Sequence, residues 1–209
     1  MGDKIYVPYQ EAESEFVEKR SRFIGHIWPV DSEDQAQELI RRVKKQHYDA
    51  RHNCWCYLLR EGGLLRYSDD GEPQGTAGQP MLNVFQREGV GNVCCVVTRY
   101  FGGVLLGAGG LVRAYSHGAK IALDAGRIIT MALCQTAELV CDYNQYGRLL
   151  SLIPEAGGVV TDTQFTDVVE ISFQIPGESL PALNRKLADA TSGSVQAQAA
   201  GELFVEWKD

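Results

Sequence analysis

The chain has 209 residues, 44% hydrophobic and 22% charged, with a formal net charge of −7. That is the balance of a soluble globular protein of one large or two small domains, and no apolar run reaches the roughly 18 residues of a membrane-spanning helix. The N-terminus lacks a basic region followed by an apolar core, and Tyr6 stands where myristoylation needs Ser or Thr, so the expected location is the cytoplasm, with no membrane partner.

Phe16 to Trp28 reads as a strand, with Gly25 permitting a bend. Ser32 to Tyr48 reads as a helix: Ser32 and Gln35 suit a capping box, and Ala36, Leu39, Ile40 and Val43 form an apolar stripe. Acids open it and bases close it, as the helix dipole favours. Asp49 to Arg60 is expected to be a strand, paired across Glu61-Gly62-Gly63 with Leu64 to Tyr67. SDDGEPQGTAGQP is a loop by composition, and its Pro80 suits the first turn of a helix reaching Glu88. Val93 to Thr98 is apolar without alternation, the pattern of a strand buried on both faces. A helix from about Leu111 to Ala125 and a strand near Ile128 follow.

The remaining order is strand (Leu133–Cys141), helix (Asn144–Ala156), two strands (Gly158–Phe165 and Val168–Ile175), helix (Glu178–Thr191) and strand (Ser194–Trp207). That is the split βαβ, ferredoxin-like arrangement. Charge divides at the same place. Residues 1–131 carry 16 basic and 16 acidic side chains, whereas residues 132–209 carry 4 and 11. Two domains are therefore expected, 1–131 and 132–209, and the acidic second one suits a basic protein partner better than a phosphate backbone.

The six cysteines include no C-x-x-C spacing and lie mostly in apolar runs, so reduced, buried thiols are expected. His52, Cys54 and Cys56 would share one face of a strand, but a tetrahedral site needs a fourth ligand, and neither a metal nor a cofactor is expected.

RYFGGVLLGAGGLVRAYSHGAK, residues 99–120, concentrates five glycines between Arg99 and Arg113. Glycine allows close backbone approach, a helix start offers unpaired N–H groups, and arginine grips phosphate with two parallel hydrogen bonds. The candidate phosphate or nucleic-acid residues are Arg99, Tyr100, Phe101, Gly102, Gly103, Gly107, Gly109, Gly110 and Arg113, with His117 and Lys120 continuing a basic stripe. Tyr100 and Phe101 suit base stacking or core packing equally. The stretch matches neither the P-loop nor the dinucleotide fingerprint. Asp69, Asp70 and Glu72 suit turn chemistry, with Mg²⁺ binding as the alternative. No catalytic constellation stands out.

YSDDGEPQGTAGQP, followed by VVTRYFGGVLLGAGGLVRAY, resembles the signature of the IMPACT family, and the chain is similar to its bacterial YigZ-type members. The resemblance implies an N-terminal domain like the second domain of ribosomal protein S5 and a C-terminal domain like a late domain of elongation factor G. It carries over to the motif loop Asp70, Gly71, Glu72, Pro73, Gly75 and Thr76, to Gly78 and Pro80, and to Arg99, Tyr100, Phe101, Gly102, Gly103, Gly107, Gly109, Gly110, Arg113 and Ala114 of the second motif. Eukaryotic members regulate translation and carry a further N-terminal RWD domain. The function expected here is a cytosolic α+β protein that binds RNA or a ribosomal component. An enzyme acting on a phosphorylated small molecule and a protein-binding adaptor are the alternatives.

Overall fold

The computed structural model describes residues 4–207. They form two compact units, Ile5–Ile129 and one that begins at Thr130. The first contains β1 (Lys4–Pro8), β2 (Ala12–Glu18), β3 (Ser21–Pro29), α1 (Glu33–Gln46), β4 (His52–Leu59), β5 (Leu64–Ser68), α2 (Gly78–Glu88), β6 (Val93–Tyr100) and α3 (Ala108–Gly126). Its sheet has the order β2-β3-β6-β4-β5 and is antiparallel throughout.

Both faces of that sheet are covered. Ala36, Ile40 and Val43 of α1 pack on Trp28, Tyr57, Cys94 and Val96. On the opposite face Met81 and Phe85 of α2 and Tyr115 and Leu123 of α3 meet Phe23, Cys54, Cys95 and Val97. Central β6 is buried from Val93 to Arg99, which is why its sequence does not alternate. At the start of α1 Ser32 accepts the Gln35 N–H, while the Gln35 side chain reaches back to the Asp31 N–H.

Phe16 to Trp28 is two strands, not one. The chain reverses at Lys19 and Arg20, whose φ values of 46° and 67° are those of a hairpin turn matched to strand twist. Gly25 lies inside β3 and makes no bend: a Cβ there would stand 2.6 Å from the Gly118 carbonyl oxygen, so glycine lets α3 rest directly on the strand. α3 begins at Ala108 rather than near Leu111, which places Gly109 and Gly110 in its first turn.

The second unit contains β7 (Ile128–Cys141), α4 (Tyr143–Glu155), β8 (Val159–Phe165), β9 (Val169–Pro176), α5 (Leu180–Thr191) and β10 (Gln198–Trp207). Strands β10, β7, β9 and β8 lie side by side in that order, all antiparallel, as a ferredoxin-like domain requires. The segment near Ile128 and Leu133–Cys141 form one continuous strand. Leu139, Ile171 and Phe173 pack beneath Leu149, Ile153, Leu183 and Leu187. No helix among the described residues is long and apolar enough to cross a membrane.

All six cysteines are buried thiols. Burial raises each pKa, that of Cys94 to about 12. On the α1 face His26 is 4% exposed, stacked on Trp28 and tilted against His47. Burial, then His47 and Arg42, push its pKa from 6.5 down to about 4. Glu13, 3.2 Å from Nδ1, favours the cation but is itself exposed, and burial prevails. The unfolded chain takes up the proton first, so this contribution to stability is present above pH 6.5 and is lost as pH falls toward 4. At 1.36 kcal/mol per unit the loss is about 3 kcal/mol. Urea unfolding of wild type and His26→Phe at about pH 7 and pH 4.5 is expected to show the steeper decline in wild type. Equal declines would contradict it.

Candidate functional site

The loop before α2 is shaped by its acids. Asp69 Oδ1 accepts the N–H groups of Ala77 and Gly78 at 3.0 and 2.9 Å, and Oδ2 accepts that of Gly75 at 2.8 Å. This caps α2 from outside its own first turn. Asp70 Oδ2 accepts the Asn53 N–H at 2.7 Å, and Oδ1 pairs with Lys44 at 2.6 Å. Thr76 is buried and donates to the Pro73 carbonyl. Protein donors thus hold Asp69 and Asp70, in keeping with turn chemistry rather than a Mg²⁺ site.

Glu72 turns inward. Its Oε1 accepts from Arg99 Nη1 at 2.7 Å and from the Tyr115 hydroxyl at 2.8 Å. Arg99 is 5% exposed, and its guanidinium also lies 5.6 Å from the Phe23 ring centroid and 5.4 Å from that of Phe101. Its Nη2 donates to Ser21 Oγ, which also accepts the Gly102 N–H. A buried guanidinium must be paired, so the fork expected to grip phosphate is engaged by Glu72 and Ser21 instead. Burial, with Cys54 and Glu72 close by, pushes the Tyr115 hydroxyl far above its usual range. His52 Nδ1 donates to the Asp70 carbonyl, and Nε2 stands 3.7 Å from Glu72 Oε2.

Above this cluster lies a cleft of about 440 Å³. Gly71 and Pro73 of the first motif line it together with Leu105 and Gly107 of the second, and with Arg51 and Phe101. Phe101 is 47% exposed. Arg51 has no carboxylate partner among the described residues. It reaches the cleft because its N–H pairs with the Arg99 carbonyl at the start of β4. Ala108, Gly109 and Gly110 have no acceptor for their N–H groups among the described residues, since the first α3 bond runs from Leu111 to Gly107. Gly102 is required by contact: a Cβ would stand 1.9 Å from the Arg20 carbonyl oxygen. Gly107 is required by conformation, with φ at 73°.

The fold therefore joins both motifs at one cleft, bringing Gly71, Glu72 and Pro73 to Arg99, Phe101 and Gly107. Other candidates go elsewhere. Tyr100 faces His47 and Asp49. Lys120 pairs with Asp124 and Glu88. Arg113 and His117 line a second groove with Gly110, so Arg113 and Arg99 do not converge on one space. Gly103 takes a positive φ beside open space. Arg51, Ser21 and Leu105 were not among the sequence candidates; only strand pairing and the loop's path connect them to the cleft. Cys54 and Cys56 lie in the core below His52, and no group of three metal-ligating side chains occurs among the described residues.

Such a chain is a two-domain α+β protein, with the cleft built by the loops of its N-terminal domain. It belongs to the IMPACT family: the Impact N-terminal domain matches residues 19–123, and a domain of unknown function (DUF1949) matches residues 139–194. IMPACT family member YvyE of Bacillus subtilis is 36% identical over 90% of this chain and 88% of its own length. IMPACT family member YigZ of Escherichia coli is 36% identical over 88% and 92%. A crystal structure described as that of a hypothetical protein superposes with a TM-score of 0.62 at 33% identity, covering 95% of this chain and 98% of that one.

The buried pair makes a direct prediction. Glu72→Ala leaves the Arg99 charge uncompensated, which should cost about 3–5 kcal/mol. Chemical denaturation measures it, and a loss below about 1 kcal/mol would show that Arg99 finds another partner.

Proposed function

We propose that the protein binds single-stranded RNA, as part of RNA or of a ribosomal component, through the cleft of its N-terminal domain, and so acts on translation in the cytosol. One observation carries the reading: an exposed aromatic ring, an arginine with no carboxylate partner among the described residues and the N-terminus of a long helix surround a single cleft. Phe101 offers a stacking face. Arg51 and the first N–H groups of α3 offer a phosphate two kinds of positive partner. Arg99 shapes the site from below, because its charge is matched by Glu72.

The cleft volume also suits a small ligand. The engagement of Asp69, Asp70 and Glu72 by protein donors weighs against an enzyme that needs one of them for Mg²⁺.

Binding of a fluorescent oligouridylate at low salt tests the proposal, together with co-sedimentation with ribosomal particles. Phe101→Ala should weaken binding about five- to a hundredfold, the range of one base stack. Arg51→Ala should reduce the magnitude of the log–log salt slope by about 0.7. Wild-type binding by both variants would overturn the reading. A thermal shift with a mononucleotide and Mg²⁺, without oligonucleotide binding, would favour the enzyme.

A further inference from the structure

The glycine loop has cavities on both sides. The second groove, about 430 Å³, is lined by Glu18, Lys19, Gly110, Arg113 and His117, three of them basic. Leu106 lines both cavities, and the first turn of α3 forms the saddle between them. Gly107, Gly109 and Gly110 bring no side chain of their own to that saddle, and Leu106 packs against Gly110. Helix side chains tilt toward the N-terminus, and Arg113 follows the rule: its Nη1 lies 3.7 Å from where a Gly109 Cβ would be. The guanidinium thus sits over the turn whose N–H groups lack acceptors among the described residues. Neither Lys19 nor Arg113 has a carboxylate partner among the described residues. Arg99, beneath the cleft, keeps a buried Nε without a hydrogen-bond partner among the described residues.

We propose that the ligand is a polynucleotide strand that does not end in the cleft. Resting on the reading above, the strand leaves the Phe101 and Arg51 side, lays a phosphate at the first turn of α3 against Arg113, and continues past Lys19 and His117. The chemistry selects a flexible, singly stranded polyanion with regularly spaced phosphates. A mononucleotide reaches the first cavity alone. The absent side chains are what let a backbone cross the helix end, so the glycines serve passage as well as packing.

Calorimetric titration of the full chain with a uridine dinucleotide and a uridine octanucleotide tests this. The octanucleotide should bind at least about tenfold more tightly than the dinucleotide. Its salt slope should be near −2, as for three phosphates at about 0.7 each. Arg113→Ala, at an exposed position, should remove most of the gain for the octanucleotide and leave the dinucleotide unchanged. Lys19→Ala should do the same more weakly. Arg51→Ala should weaken both ligands. Equal affinity for the two lengths, with Arg113→Ala behaving as wild type, would overturn the path and leave the cleft reading standing. Failure of both ligands to bind at low salt would overturn the nucleic-acid reading itself.

Discussion

The N-terminal domain is organised around the ion pair between Arg99 and Glu72. Arg99 belongs to the central strand, and Glu72 to a loop with little regular structure of its own. A buried guanidinium without a carboxylate is costly, and so is a buried carboxylate without donors. Each therefore fixes the other. Tyr115 adds a hydrogen bond from α3, and Ser21 ties the same arginine to the start of β3. Loop, strand, helix and hairpin are held in one register by a cluster that faces the core beneath the cleft. Two motifs separated along the chain are thus one structural unit, and the cleft is its outer surface.

Around that cluster the backbone comes unusually close to itself. Gly25 meets the Gly118 carbonyl, and Gly102 meets that of Arg20. Contacts of this kind place a helix and a loop on the sheet without intervening side chains. The glycine-rich stretch has more than one cause: Gly102 and Gly110 answer to contact, with Arg20 and Leu106, and Gly107 to conformation.

Much of this was legible from residues alone. The stripe and polarity of α1, the unalternating β6 and the order of the C-terminal elements all follow from local pattern. The hairpin at Lys19 and Arg20 did not, because long basic residues carry no signal for left-handed backbone. The partnership of Arg99 with Glu72 was hidden too. An arginine beside glycines reads as a ligand for anions, and only burial shows that it has already found one inside the protein. Arg51 was missed because strand pairing, not sequence proximity, sets it beside Arg99.

The buried thiols have a chemical consequence. Oxidants attack the thiolate, and the climb from sulfenic to sulfinic acid begins there. Each cysteine here is held protonated and out of reach, so peroxide meets no ready thiolate on the folded chain. Oxidation then has to wait for the protein to open. A modified cysteine would record how often a strand or helix has come away, rather than how much oxidant was present.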